Sequence, residues 1–269
     1  MARGATMGTM KRFSFCILFL MIALALWGNT IAEFSWTHYR VSYPAFFLGK
    51  DGNMLMEIGD YFFGGTTYEL GNAKRAYDRA LSINPKILWG HFQLARIYFV
   101  KGDFQKALEE INKEIEANPE NLRSLYVRGL IYGYRGTYGD LQRAENDFRR
   151  FTLWAPSEWA GYNDLAWILS KEAKYQDAKD TARAGLSKAK GAERNPWLLN
   201  ALGLAELNLG EYKAAKESFE KALPLAERLS LGDWQKSYPG NSPGSAESGL
   251  TAFQEAISSN LAQANSFLR

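Results

Sequence analysis

Residues 88–121 read LWGHFQLARIYFVKGDFQKALEEINKEIEANPEN, and this stretch decides the fold. Apolar side chains recur at three- and four-residue spacings, as in Leu94, Ile97 and Tyr98, the period of a helix with one buried face. Gly102-Asp103-Phe104 interrupts the pattern, and a second helical run follows. Asn118-Pro119 ends it, because proline cannot continue a helix and pushes the preceding residue out of helical geometry. Ala95 in the first run and Ala107 in the second are small where two paired helices would touch, so the pair can approach closely.

The same plan repeats outward from this stretch. Small residues stand at Gly59, Ala95, Gly129, Ala166 and Gly203, separated by 36, 34, 37 and 37 positions. A second series runs Ala73, Ala107, Ala144, Ala178 and Ala215, and four residues after each comes Tyr77, Ile111, Phe148, Ala182 or Phe219. Ala173-Lys174-Tyr175 and Gly210-Glu211-Tyr212 are near copies of the Gly102 turn, and Pro85, Pro119 and Pro156 close the first three units. One period recurring five times is the mark of a stacked-repeat architecture.

These residues make the chain resemble the tetratricopeptide-repeat family, whose unit is a 34-residue helix–turn–helix. The resemblance implies an all-α, right-handed superhelical solenoid of about five repeats, near 52–87, 88–121, 122–158, 159–195 and 196–230. Glu114, Phe151 and Gly185 depart from it, standing where the family prefers alanine. The first and third units carry longer turns, at Gly64-Gly65-Thr66-Thr67 and Gly136-Thr137-Tyr138-Gly139, and the fourth a longer tail from Lys188 to Asn195.

Family geometry implies a concave groove lined by the first helix of each unit, binding a protein or peptide ligand. It places Trp89, Phe92, Arg96 and Phe99 there from the second unit, Tyr126 and Leu130 from the third, and Asn163 and Trp167 from the fourth. Trp197, Asn200 and Leu204 follow from the fifth. Aromatic and arginine side chains dominate binding energy at protein interfaces, although aromatics in repeats also pack between neighbours. Some family members grip chaperone carboxyl termini with Lys and Asn in the first two repeats. Met56, Asp60, Phe92 and Arg96 occupy those positions here, so that clamp is not expected.

The first fifty residues read differently. Lys11 and Arg12 precede an apolar run from Phe13 to Trp27, extendable to Ala32, and 20 such residues span roughly 30 Å as a helix. Residues 1–32 read as a signal anchor, or as a signal peptide cut before Glu33. Trp27, with Trp36, Tyr39, Tyr43, Phe46 and Phe47 in 33–51, forms an aromatic band that suits a membrane–water boundary, or alternatively a cap on the first repeat. Positive charge before the span predicts a single-pass protein with the repeats outside the cytoplasm. An exported soluble form, an organelle receptor facing the cytosol and an enzyme with an unrecognised site are the alternatives. After the repeats, 231–249 reads as a Gly/Ser/Pro linker. Leu250, Phe253, Ile257, Leu261 and Leu268 then form one stripe of a C-terminal helix over 250–269, either capping the last repeat or binding a partner.

Composition excludes several chemistries. Arg3, Lys11 and Arg12 account for the whole excess of 32 Lys and Arg over 29 Asp and Glu, leaving the chain beyond residue 32 formally neutral. No nucleic-acid partner is expected of it, since phosphate binding draws on a basic surplus. Cys16 is the single cysteine, so no disulfide forms within the chain, and the residues before it lack a lipidation pattern. Of the two histidines, His38 and His91, the second sits between Trp89 and Phe92 in a packed context. No phosphate loop or paired metal ligands occur, so no cofactor, metal or catalytic residue is expected.

Overall fold

The computed structural model describes residues 5–64, 67–238 and 241–269, with side chains from residue 16 onward. Gly65 and Thr66 of the long first turn, and Pro239 and Gly240 of the Gly/Ser/Pro stretch, lie outside the described residues. Every regular element among those described is helical, and the chain forms two compact units, Met1–Gly90 and His91–Arg269.

The first unit holds α1 (Ala5–Tyr39), α2 (Tyr43–Leu48), α3 (Gly52–Phe63) and α4 (Leu70–Ile83). Asp51 starts α3 by accepting from the backbone N–H groups of Asn53 and Met54, two donors that a helix start otherwise leaves bare. α3 and α4 form one repeat pair. A Cβ on Gly59 would lie 2.2 Å from the Tyr77 ring, so the glycine is the notch the aromatic fills.

α1 does not divide at residues 32 and 33; it runs unbroken through them. Ala32 and Trp36 are buried, the Trp36 indole N–H donates to Glu57 at 3.3 Å, and its ring meets Tyr61 edge-on. Asn29 accepts from the backbone of Lys50 at 2.7 Å. The expected aromatic boundary band therefore splits. Trp36 and Phe46 are core, whereas Trp27, Tyr39, Tyr43 and Phe47 stay exposed.

The second unit opens with α5 (Gly90–Val100) and α6 (Phe104–Ala117). Next come α7 (Arg123–Arg135) with α8 (Asp140–Trp154), and α9 (Trp159–Lys171) with α10 (Tyr175–Lys188). The last pair is α11 (Pro196–Asn208) and α12 (Tyr212–Glu227), followed by α13 (Leu231–Ser237) and α14 (Ala246–Ser266). The turn copies share one geometry, with φ of +75° at Gly102, +56° at Ala173 and +76° at Gly210. That left-handed conformation is free for glycine and strained for Ala173.

Size complementarity holds each pair together. A Cβ on Gly129 would stand 2.9 Å from Phe148, and one on Gly203 would stand 2.6 Å from Phe219. Where the first helix carries Ala166 instead, the second carries the small Ala182, and both are buried. The departures from the family pattern are compensated in the same way. Phe151 enters the space that Gly161 leaves open, and Gly185 admits Tyr162 and Leu198. Glu114 is fully buried, and its carboxylate accepts from the Phe92 backbone, Asn118 and Asn121. The long third turn winds about buried Asp140, which accepts from Arg135, Thr137 and Arg143.

Two readings of the C-terminal end need correcting. The stretch read as a linker contains α13, because Ser230 and Asp233 form a reciprocal capping box and Trp234 finds aromatic partners. α14 begins at Ala246 rather than 250, and its stripe is Leu250, Phe253, Ile257, Leu261 and Ala264. Leu268 is exposed beyond the helix end. Ile257 and Ala264 pack with Ala215, Phe219, Ala222 and Ala226, so α14 covers the last repeat.

The notch packing makes a prediction. Gly203→Ala should cost about 1–2 kcal/mol net in urea unfolding, overpacking against Phe219 outweighing the helix-propensity gain of alanine. Adding Phe219→Leu should recover part of that loss, whereas two independent sites would give additive losses.

Candidate functional site

In the second unit α7 touches α9 and α9 touches α11, so the first helices of successive pairs form the inner layer. Side chains that the pairs do not consume collect on this layer in two aromatic rows with a polar strip.

One row crosses three repeats. The Phe99 ring meets Tyr134 edge-on at 5.4 Å, and Tyr134 meets Trp167 at 5.1 Å. Gly133 makes the row possible, since a Cβ there would lie 2.6 Å from Trp167. The Lys171 ammonium stands 4.7 Å over the Trp167 ring and donates to the Gly133 carbonyl, fixing that indole. Tyr134 is 59% exposed, so the row faces solvent at its centre.

The second row lies at the opposite ends of the inner helices. Trp159 and Trp197, both at helix starts, stack at 4.9 Å. Trp197 stacks again on Phe253 at 5.5 Å and faces Trp234 and Tyr238, each at 6.3 Å.

The polar strip centres on Asp164, which accepts from the Tyr126 hydroxyl at 2.6 Å and from Asn163 at 3.0 Å. Burial raises this carboxyl to about 6, although both hydrogen bonds pull the other way. Burial, then the facing Asp164 charge, push the Tyr126 phenol up. The Asn200 side-chain oxygen and the Trp197 indole N–H are buried without a partner at hydrogen-bonding geometry among the described residues.

The expected groove residues therefore scatter. Phe99, Tyr126, Asn163, Trp167 and Asn200 lie on the inner layer described above. Phe92 is only 7% exposed and packs as core. Arg96 is partly buried and donates to Gln93 at 2.7 Å. Trp89 stands before α5, at φ +72°, and belongs to the first unit. Sequence reasoning missed Asp164, Tyr134, Trp159, Trp234 and Tyr238. Tyr134 was findable, being two turns beyond Tyr126 on one face, and Asp164 adjoins Asn163. Trp234 and Tyr238 fall in the stretch read as linker. His91 is tied to Glu110 at 2.6 Å. Burial opposes the Glu110 charge, but bonds from His91 and Lys113 hold its pKa below the ordinary value.

Residues 90–121 and 198–228 match the Tetratricopeptide repeat family model. The structure of MamA protein is similar at TM-score 0.55 and 20% identity, covering 70% of this chain and 95% of that one. YrrB, a TPR protein with an unusual peptide-binding site, gives TM-score 0.53 and 16% identity over 66% of this chain and 88% of that one. Pseudomonas aeruginosa PilF gives 0.58 and 15% over 80% and 88%. The peptidyl-prolyl cis-trans isomerase PASTICCINO1 of Arabidopsis thaliana is 29% identical over 113 residues, 36% of this chain and 17% of that protein. The BBSome complex member BBS4 of Bos taurus is 28% identical over 152 residues, 55% of this chain and 27% of that protein. The chain thus spans about a sixth to about a quarter of these curated relatives. It carries tetratricopeptide repeats, and its fold is that of the tetratricopeptide-repeat structures.

Asp164 gives a pH test. Its folded pKa of about 6 exceeds the ordinary 3.8, so ionising it works against the fold. The penalty is absent below about pH 4 and complete once pH has climbed through 6. Asp164→Asn should therefore gain on wild type by up to about 3 kcal/mol between pH 4 and pH 7 in paired urea titrations. A difference independent of pH would refute the raised value.

Proposed function

We propose that this chain is a non-catalytic scaffold, held at a membrane by α1, that binds a protein segment on the inner layer of its second unit. The observation that carries the reading is the Phe99–Tyr134–Trp167 row, which is laid across three repeats and left partly open to solvent. Rigid, amphipathic rings give large contact area at small entropic cost. Many charged groups of the unit are tied into structural pairs instead. Examples are Arg128 with Asp147, Lys174 with Glu145, and Lys179 with Glu211.

Tethering is supported by the contrast along α1. Residues Cys16–Tyr39 form a helix long and apolar enough to cross a membrane, with Phe19 69% and Leu26 73% exposed. Its last third is built into the first unit through Asn29, Ala32 and Trp36. Removal of residues 1–32 would delete part of a packed helix, which favours an anchor that stays. Lys11 and Arg12 before the apolar run favour an orientation with the repeats outside the cytoplasm.

Crosslinking from membranes tests the binding surface. Tyr134→Ala/Trp167→Ala should lose wild-type partners by tenfold or more while keeping the wild-type circular dichroism. Retention of those partners would move binding elsewhere. For the tether, the full chain should stay in the pellet through alkaline carbonate extraction, with residues preceding Glu33 present by mass spectrometry. A soluble product beginning at Glu33 would show the exported form instead.

A further inference from the structure

α13 is an unusual element for this fold. Its seven residues contribute no buried side chain, and α14 supplies the apolar cover of the last repeat. What α13 and its capping residue bring is two rings, Trp234 and, one turn on, Tyr238, 4.5 Å apart. Both face Trp197 at the start of α11, and Trp234 also meets Phe253. Gly249 permits this seating, since a Cβ there would lie 3.0 Å from the Trp234 indole. Tyr238 also reaches past α11. Burial, then the Asp164 carboxylate, push its phenol up, so it sits within charge range of the polar strip on α9.

The seat is incompletely satisfied. Trp197 is 6% exposed, and its indole N–H is directed at the Tyr238 hydroxyl without reaching full hydrogen-bonding geometry. Three residues on, the Asn200 side-chain oxygen is likewise buried and unmet. Buried polar groups left unmet carry a real free-energy cost. A ligand with the same rings plus a suitable acceptor and donor would make polar contacts there that α13 does not complete.

We infer that α13, with Tyr238, is a built-in ligand seated at the last inner-layer subsite. Its natural competitor is a segment of a partner protein bearing two aromatic side chains one helical turn apart. The inference rests on the reading of the inner layer as a binding surface and adds the ligand class and its gate. Segment and ligand exclude each other because both need the face of Trp197. The chain in its resting state therefore offers the Phe99–Tyr134–Trp167 row, and the Trp197 subsite opens only to a competitor.

The test uses the detergent-solubilised full chain and a labelled synthetic peptide of residues 229–238, read by fluorescence anisotropy. Trp234→Ala/Tyr238→Ala empties the seat and should bind the peptide at least tenfold more tightly than wild type. Adding Trp197→Ala should abolish the gain, and a peptide with both aromatic residues replaced by alanine should not bind. Equal binding by wild type and the emptied variant, or binding indifferent to Trp197→Ala, overturns the inference. Should the double variant melt early, Tyr238→Ala alone carries the test, with a gain of about threefold expected. Partner capture that depends on Tyr134 and Trp167, without any gain in peptide binding, sinks this inference and leaves the binding-surface reading intact. Loss of both sinks the reading itself.

Discussion

A ring set into a missing Cβ fixes the distance between paired helices, and most of the second unit follows from that distance. Phe148 over Gly129 and Phe219 over Gly203 bring backbones closer than any side chain on the first helix would allow. With the pair spacing fixed, the first helices of successive repeats touch one another and form a layer. Their remaining side chains are not needed for the pair contact. They are free to be whatever the inner surface requires, which is why Phe99, Tyr134, Trp167 and Asp164 accumulate there.

Volume is conserved between neighbours rather than at each position. Ala166 faces a unit whose second helix carries Ala182, and Phe151, too large for its place in the family pattern, is answered by Gly161 in the next helix. Glu114 is answered chemically instead, by the Phe92 backbone and two asparagines. Charge follows the same logic. Burial alone would raise Glu145, but hydrogen bonds from Lys174 and Arg149 bring it to about 2. Glu206 is held by Arg183 and Ser218. Breaking one member of such a set leaves an uncompensated buried charge.

The repeat was legible because it is written by residue size at a fixed period, and size is what helix pairing selects. The Pro85, Pro119 and Pro156 stops fall just past helix ends for the same reason. The inner layer was half legible. Residues on the family's groove positions were nameable, but whether a ring is core or surface depends on its neighbour in the next repeat. Phe92 and Tyr134 look alike in sequence and end up 7% and 59% exposed. The C-terminal stretch misled because glycine, serine and proline suggest a linker, while one capping box and one tryptophan suffice to build α13. The apolar N-terminal run showed its length but not its end, because Ala32 and Trp36 change environment without any change in helical period.

The two aromatic rows differ in what they leave unfinished. In the first, Trp167 is pinned from behind by Lys171 and Gly133, so the row is a rigid surface with nothing unmet beneath it. In the second, stacking is extensive but the Trp197 N–H meets Tyr238 only imperfectly and the Asn200 oxygen has no partner among the described residues. Apolar contact alone is tolerant of its partner, whereas an unmet buried donor or acceptor discriminates, because only a group of the right polarity relieves it. Affinity without much selectivity belongs to the Phe99–Tyr134–Trp167 row. Selectivity belongs to the end of the layer where Trp197 lies, because the segment covering that end meets the Trp197 N–H only imperfectly and leaves the Asn200 oxygen unmet.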